Sequence, residues 1–459
     1  MTQHHPAHER CDILIIGAGP AGLAAALAAA PSGASITVVD DNPQPGGQIW
    51  RDGPQVVLPA MAQQHRAALA RHTNIRLLPG TRVVGLGDPQ PGDKAPALLL
   101  EDADRGWTQH SHRIILCTGA RELLLPFPGW TLPGVTGAGA LQALIKAGLD
   151  VRGQRIVIAG TGPLLLAAAA AATKAGATVL RVAEQAPWSA LAGFAAQLPR
   201  WPAKAVQALT LLHSQLRASS HVLEVQGTTR VLTVRLRKGQ LAEETMACDR
   251  VACGFGLVPN THLGQMLGCT LGGPLSGGQG LAVDAHMRTS VHGVFAAGEA
   301  TGFGGSERAL VQGAMAGHVA AGNAQQAEAL RPQLAHWEGF AQALQASFPL
   351  NEALKTLAQP DTLVCRCEDV PYTALADRDG WIDAKLHTRC GMGACQGRIC
   401  GAATQHLFGW VPAPPRHLLA PARIGTLATA APPATPQSPA APVASHPADG
   451  AAARSAQRP

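Results

Sequence analysis

Residues 11–41 read CDILIIGAGPAGLAAALAAAPSGASITVVDD, and the order of their parts decides the fold. The continuous apolar run Ile13 to Ile16 suits a parallel strand buried on both faces. Gly17, Gly19 and Gly22 follow in G-x-G-x-x-G spacing and open an alanine-rich helix, and a second strand ends at Asp40. Gly17 permits a tight turn, Gly19 lets the backbone approach a pyrophosphate, and Gly22 lets helix and strand pack closely. The helix start offers free N–H groups and partial positive charge to the phosphates. Asp40 is placed to accept ribose hydroxyls. Strand, glycine turn, helix and acid in this order predict a dinucleotide-binding βαβ unit.

Residues 156–184, IVIAGTGPLLLAAAAAATKAGATVLRVAE, repeat the unit in fixed register. Gly160, Gly162, Pro163, Leu166, Gly176 and Ala177 align with Gly17, Gly19, Pro20, Leu23, Gly33 and Ala34. Pro20 and Pro163 suit a first helical turn, where no N–H partner is lost. Two positions differ. Leu165 replaces Gly22, and with an unmoved backbone the overpacking would cost about 1–3 kcal/mol. Ala183 replaces Asp40, which removes a ribose acceptor worth about 1.5–3 kcal/mol unless Glu184 takes its place. Three uses stay open for this second unit: a repurposed nucleotide site that keeps its phosphate turn, an empty scaffold, or catalytic NAD(P)H binding.

Of ten cysteines, five are scattered singly and five lie between Cys365 and Cys400, in CRCEDV and TRCGMGACQGRIC. Scattered cysteines behave as small buried hydrophobes, and a cluster in a reducing compartment points to metal. A C-x-C pair followed by cysteines in a glycine-rich loop suits an Fe–S cluster, whereas structural zinc more often uses C-x₂₋₄-C pairs. Iron–sulfur, zinc and unligated thiols are the alternatives. The +6 formal charge is spread along the chain with no basic run interleaved with aromatics, which argues against nucleic acid. The longest apolar run, Pro163 to Thr173, is too short to span a bilayer, and no integral membrane segment is expected. A first strand starting near Cys11 leaves no room for a secretion signal, so a cytoplasmic location is expected.

Further segments carry a resemblance. NPQPGGQIWR (42–51), the TG turn in IILCTGARELLLPFPGW (114–130) and GVFAAGEATGFGGSERALVQGAMAG (293–317) resemble the FAD-binding loops of two-dinucleotide-domain flavoproteins. That superfamily more often has Asp where this chain has Glu299. The resemblance implies an α/β fold of glutathione-reductase type, with FAD and NAD(P) Rossmann units and a small C-terminal [2Fe–2S] module. It implies FAD contacts at Gly17, Gly19, Pro20, Ala21, Gly22, Asp40, Gly47, Gln48, Thr118, Gly119, Gly298 and Glu299, with Gly160 and Gly162 cradling the second ligand.

PGGQIWR, CTGARELLLPFPGWTLPGV, CGFGLVPNT, CRCEDV and TRCGMGACQGRIC together are similar to the A or alpha subunits of heteromeric flavin-dependent amine dehydrogenases. That family includes the corresponding subunits of opine oxidase, D-hydroxyproline dehydrogenase and hydrogen cyanide synthase. The C-terminal segment resembles the module of bacterioferritin-associated ferredoxin, which implies Cys365, Cys367, Cys395 and Cys400 as [2Fe–2S] ligands and leaves Cys390 spare. In this family a beta subunit related to glycine or D-amino-acid oxidases oxidises the amine, and a small ferredoxin-like subunit often joins. Relatives hold NAD or ATP in the second unit.

The expected organisation is an FAD-binding domain from 1–150 plus 272–325, an NAD(P)-binding-like domain at 151–271, a helical connector at 326–360, the cluster module at 361–412 and a Pro/Ala-rich tail without fixed structure at 413–459. Histidines 262, 286, 292 and 318 are expected at the surface or in packing roles, and the histidine-bearing N-terminus is expected to fray. The function these features imply is electron transfer by an amine dehydrogenase alpha subunit. The alternatives are a stand-alone NAD(P)H:acceptor oxidoreductase and a flavin-dependent sensor or assembly factor. No single His, Lys or Asp marks itself as a catalytic base.

Overall fold

Chain segments with continuous apolar runs become the buried parallel strands at the centre of two sheets. The computed structural model describes residues 8–429 apart from 55, 240–241, 276–277 and 417. The first sheet has the order β3-β2-β1-β6-β5-β4, formed by β1 (His8–Ile16), β2 (Ile36–Asp40), β3 (Ile75–Pro79), β4 (Arg82–Leu86), β5 (Leu98–Glu101) and β6 (Gly106–Leu116). β1, β2, β3 and β6 run parallel, and β5 returns antiparallel along the first half of β6. The helix α1 (Pro20–Ala29) connects β1 to β2.

The second sheet is all parallel and interrupts the first in sequence. Its central strands are β7 (Arg155–Gly160), β8 (Thr178–Glu184) and β9 (Arg250–Gly254), with α2 (Leu164–Lys174) crossing from β7 to β8. A three-stranded antiparallel sheet spans 220–247. The chain then returns to the first sheet through β10 (Val294–Ala296), which pairs with the second half of β6.

Alanine and glycine let two helices of the first unit touch. α3 (Gly305–Ala320) lies on α1 with Gly313 and Gly317 at the crossing. A Cβ on either glycine would sit 2.0 Å from the Ala21 carbonyl oxygen or 2.2 Å from that of Ala25. The connector forms α4 (Arg331–Ser347), whose Phe340 packs with Phe194 and Trp201 of the second unit. The cysteine-rich region folds around Val364, Val370, Leu375 and Trp381, with α5 (Trp381–Thr388) and α6 (Cys400–Phe408).

His4 and His5, at the N-terminus expected to fray, lie outside the described residues, as do 430–459 of the expected tail. Residues 423–429 depart from the expectation of no fixed structure. They form α7 (Ile424–Thr429), docked on β5 and β6 with Thr426 only 2 % exposed. The cause is Glu101, whose buried carboxylate accepts the Thr426 hydroxyl at 2.6 Å and the Arg423 N–H at 2.8 Å. Burial alone would raise the Glu101 carboxyl, but bonds from Arg82, Thr426 and Arg423 outweigh it and hold it at about 2. The folded value lies below the ordinary 4.5, so this docking is at full strength above that pH and is lost as pH falls through about 2. The protection factors of the Thr426 and Leu427 amides, relative to an unfolded chain at the same pH, should therefore stay constant down to about pH 4.5 and fall as the pH approaches 2. Protection already lost at pH 6 would contradict the role given to Glu101.

Candidate cofactor sites

In the first unit, chain geometry leaves no freedom at Gly17 and Gly22. Gly17 has φ +105°, and a Cβ there would lie 2.2 Å from the Cys117 carbonyl oxygen. On Gly22 a Cβ would meet the Gly17 oxygen at 1.8 Å. Gly19 and Gly47 face each other across the mouth of the turn. Asp40, buried at the end of β2, accepts the Ala18 N–H at 2.6 Å and the Asn42 N–H at 2.8 Å. The acid thus fixes the turn whose amides face the cavity.

Other elements converge on the same cavity, of about 1630 Å³. It is lined by Gly17, Gly19, Pro20, Ala21, Asp40, Gly47, Gln48, Thr118, Gly119 and Glu299. Gly22 lies behind the wall, packed on Gly17. Gly298, buried beside Ala21, gives its N–H to Gln312 at 2.9 Å. Burial raises the Glu299 carboxyl against the pull of Arg308. A mostly apolar cleft with few convergent polar groups is the usual form of a cofactor site.

The same cavity continues into the second unit through Thr161, Gly162 and Glu184. Here Glu184 does what Asp40 does in the first: its carboxylate accepts the Gly162 N–H at 2.7 Å and the Ala186 N–H at 2.9 Å. The turn itself takes a different path. Gly162 has φ +86° where Gly19 has −73°, and α2 starts at Leu164, one position later than α1 in the aligned repeat. That shift removes the expected clash at Leu165, which is buried with its side chain against Gly254, a residue without a Cβ. Gly160 keeps the tight turn at φ +143°.

Arg121, Glu122 and Asn260, which the sequence did not single out, shape the cavity. Glu122, three residues past Gly119, accepts the Gly139 and Ala140 N–H groups at 2.7 and 2.8 Å, and burial raises its carboxyl. Thr118 and Asn260 exchange two bonds: the Thr118 hydroxyl donates to the Asn260 carbonyl, and the Asn260 amide donates to the Thr118 carbonyl. Arg121 donates to the Asn260 side chain at 3.0 Å and to the Arg398 carbonyl at 2.9 Å. His262 departs from its expected surface or packing role. It lines the cavity and is pushed down to about 4 by burial and by Arg121 and Arg398, so it is neutral at pH 7. None of these positions follows a periodic pattern; only their place within or beside the TG turn and CGFGLVPNT was a signal.

The cysteine region brings all five thiols together. Cys365, Cys390 and Cys400 are buried, with sulfurs within 4.8 Å of one another. Cys395 lies within hydrogen-bonding reach of Cys400 and Cys367, and Cys367 is exposed. Cys390, the cysteine left over from the expected ligand set, lies inside this group. Arg389 at φ +64° and Gly391 at φ +80° turn the chain inward there, beneath Trp381. Contact with Cys390 and Cys400 drives the Cys365 thiol strongly down, and Cys400 beside Cys395 holds that thiol at about 5. The Cys390 and Cys400 thiols are pushed up in return. Thiolates packed this closely form a ready metal site, and they fit the thiolate-rich donor set of an iron–sulfur centre.

All ten cysteines are unpaired, and no helix among the described residues is long and apolar enough to cross a membrane. Replacing Glu184 by Ala leaves the buried Ala186 amide and the cavity-lining Gly162 amide without an acceptor and should lower stability by about 1–3 kcal/mol in a urea titration. An unchanged midpoint would remove Glu184 from this role.

Residues 11–327 match the family model described as pyridine nucleotide-disulphide oxidoreductase. The chain is 33% identical to the A subunit of opine oxidase from Rhizobium meliloti, over 85% of this chain and 90% of that protein. It is 30% identical to the HcnB subunit of hydrogen cyanide synthase from Pseudomonas aeruginosa, over 87% and 94%. In fold it is similar to L-proline dehydrogenase from P. horikoshii, with a TM-score of 0.65 and 18% identity, over 92% and 81%.

Proposed function

We propose, on the premise that this chain belongs to the pyridine nucleotide-disulphide oxidoreductase family and there to the A or alpha subunits of heteromeric FAD-dependent amine oxidases, that it is the electron-transferring subunit of an amine or imino-acid dehydrogenase. The observation that carries this reading is the pairing, within one chain, of a dinucleotide cavity and a cluster of five thiols joined to it by Arg121. FAD, when bound, supplies acceptance of an electron pair, and a [2Fe–2S] centre supplies transfer of single electrons.

The chain's own residues do the rest. Gly17, Gly19, Pro20 and Ala21 would offer the turn and helix start to the pyrophosphate of FAD, and Asp40, which holds that turn, would be its ribose partner. Gly47, Gln48, Thr118 and Gly119 line the cavity that would hold the cofactor, and Glu299 after Gly298 would be the partner of its ribityl chain. For the cluster we propose the ligands Cys365, Cys367, Cys395 and Cys400, with the Cys390 thiol donating to Cys365. Gly160 and Gly162 retain a phosphate turn, for NAD or ATP as a resident ligand. The amine itself is oxidised on a partner beta subunit resembling glycine or D-amino-acid oxidases, with a small ferredoxin-like subunit joining it. One observation favours a second reading, a stand-alone NAD(P)H:acceptor oxidoreductase: the cavity is continuous from Gly162 to Thr118.

Two measurements test the assignment. Gly19→Val would project a side chain into the cavity and should yield folded, flavin-free protein; normal flavin content would refute the placement. Cys395→Ser should abolish the cluster signal in electron paramagnetic resonance while Cys390→Ser retains it. Loss of the signal in Cys390→Ser with retention in Cys367→Ser would exchange those two in the ligand set.

A further inference from the structure

Arg398 lies between two proposed ligands, Cys395 and Cys400, and is tied to both ends of the cofactor cavity. Its carbonyl accepts from Arg121, which is fastened through Asn260 to the Thr118 turn. Its guanidinium donates to the Cys395 carbonyl at 3.3 Å and to the Leu419 carbonyl. Leu419 begins a strap over the opposite end. The Leu419 N–H donates to the Val84 carbonyl at 2.8 Å, while Leu419 and Ala420 line the cavity beside Val83. Thr81 next to them donates its N–H to the Asp40 carbonyl at 2.9 Å, so the strap crosses the end of the cavity where the ribose acid sits. Downstream, the Thr426 hydroxyl and the Arg423 backbone N–H donate to Glu101, which also holds the cavity-lining Arg82, and the Arg423 guanidinium locks the strap by donating to the Ala103 and Asp102 carbonyls at 2.7 and 2.8 Å.

Among the described residues neither Arg121 nor Arg398 has a carboxylate partner. Their hydrogen bonds go to carbonyls and one amide, so they join chain segments, and the acidic group they face is the Cys395 thiol. An ordered cysteine loop fixes where Arg398 points, and Arg398 fixes the strap.

We propose that Arg398 is a positioning residue coupling the two cofactor sites: with the cysteine loop ordered by its cluster, it clamps residues 418–429 over the Asp40 end of the cavity and tightens flavin binding. This rests on the flavin and cluster assignments above. Coupling of this kind is reciprocal, so bound flavin equally steadies the cluster loop.

The test is flavin titration of the deflavinated full-length chain, followed by fluorescence, with iron content measured in parallel. Loss of one charge-assisted bond corresponds to about a tenfold change in affinity. Arg423→Ala should weaken flavin binding about tenfold at unchanged iron content, since it frees the strap far from the cysteines. Arg398→Ala should do the same, Arg398→Lys should restore most of the affinity, and the double variant should be no worse than either single one. Chelating the iron from the wild-type chain should also weaken flavin binding about tenfold, and should have no effect in Arg398→Ala. Flavin affinity within twofold of wild type in Arg423→Ala, or unaffected by iron removal, would overturn the coupling. A wild-type chain that binds no flavin or no iron would overturn the assignments beneath it, and the coupling with them.

Discussion

A carboxylate at the end of a strand that accepts an N–H from the neighbouring glycine turn is the constraint on which both halves depend. Asp40 makes this bond to Ala18, and Glu184 makes it to Gly162. The bond holds the turn open toward the cavity, so the amides of the helix start face a ligand instead of folding back. Both acids are buried, where an amide deprived of its acceptor would cost most. The two units share the device, and both turns line one continuous cavity.

Much of this was legible in the residue order. The run Ile13 to Ile16, the glycines of the first turn and Asp40 specify one supersecondary unit by sterics and hydrogen bonding, and little else satisfies all of them. The repeat at 156–184 was legible by alignment to that unit, and Glu184 was visible as a substitute for Asp40. The path of the second turn was not. Leu165 looked overpacked only while α2 was assumed to start where α1 does, and the later start depends on Gly162 taking a left-handed conformation. Non-local contacts were hidden for a similar reason. Glu101 and Thr426, or Arg121 and Arg398, are hundreds of residues apart in sequence, and no spacing rule connects them.

The cysteines show how far spacing carries a metal site. C-x-C and the glycine-rich loop marked the region, but the choice among five thiols depends on which sulfurs the turns at Arg389 and Gly391 bring inward. Burial of Cys390 with Cys365 and Cys400, and exposure of Cys367, put a deep and a solvent-facing side on the group. An exposed edge suits exchange of electrons with another protein, and Arg121, bonded to the Arg398 carbonyl, lines the dinucleotide cavity.

The central claim is that electrons enter this chain from a partner that oxidises an amine, and not as hydride from a nicotinamide at the second unit. Anaerobic stopped-flow absorbance of the flavin tests it most directly. The account predicts that micromolar NADH or NADPH leaves the isolated chain oxidised over seconds, and that an amine or cyclic imino acid bleaches it only after the partner subunit is added. Rapid bleaching of the isolated chain by either nicotinamide would contradict it.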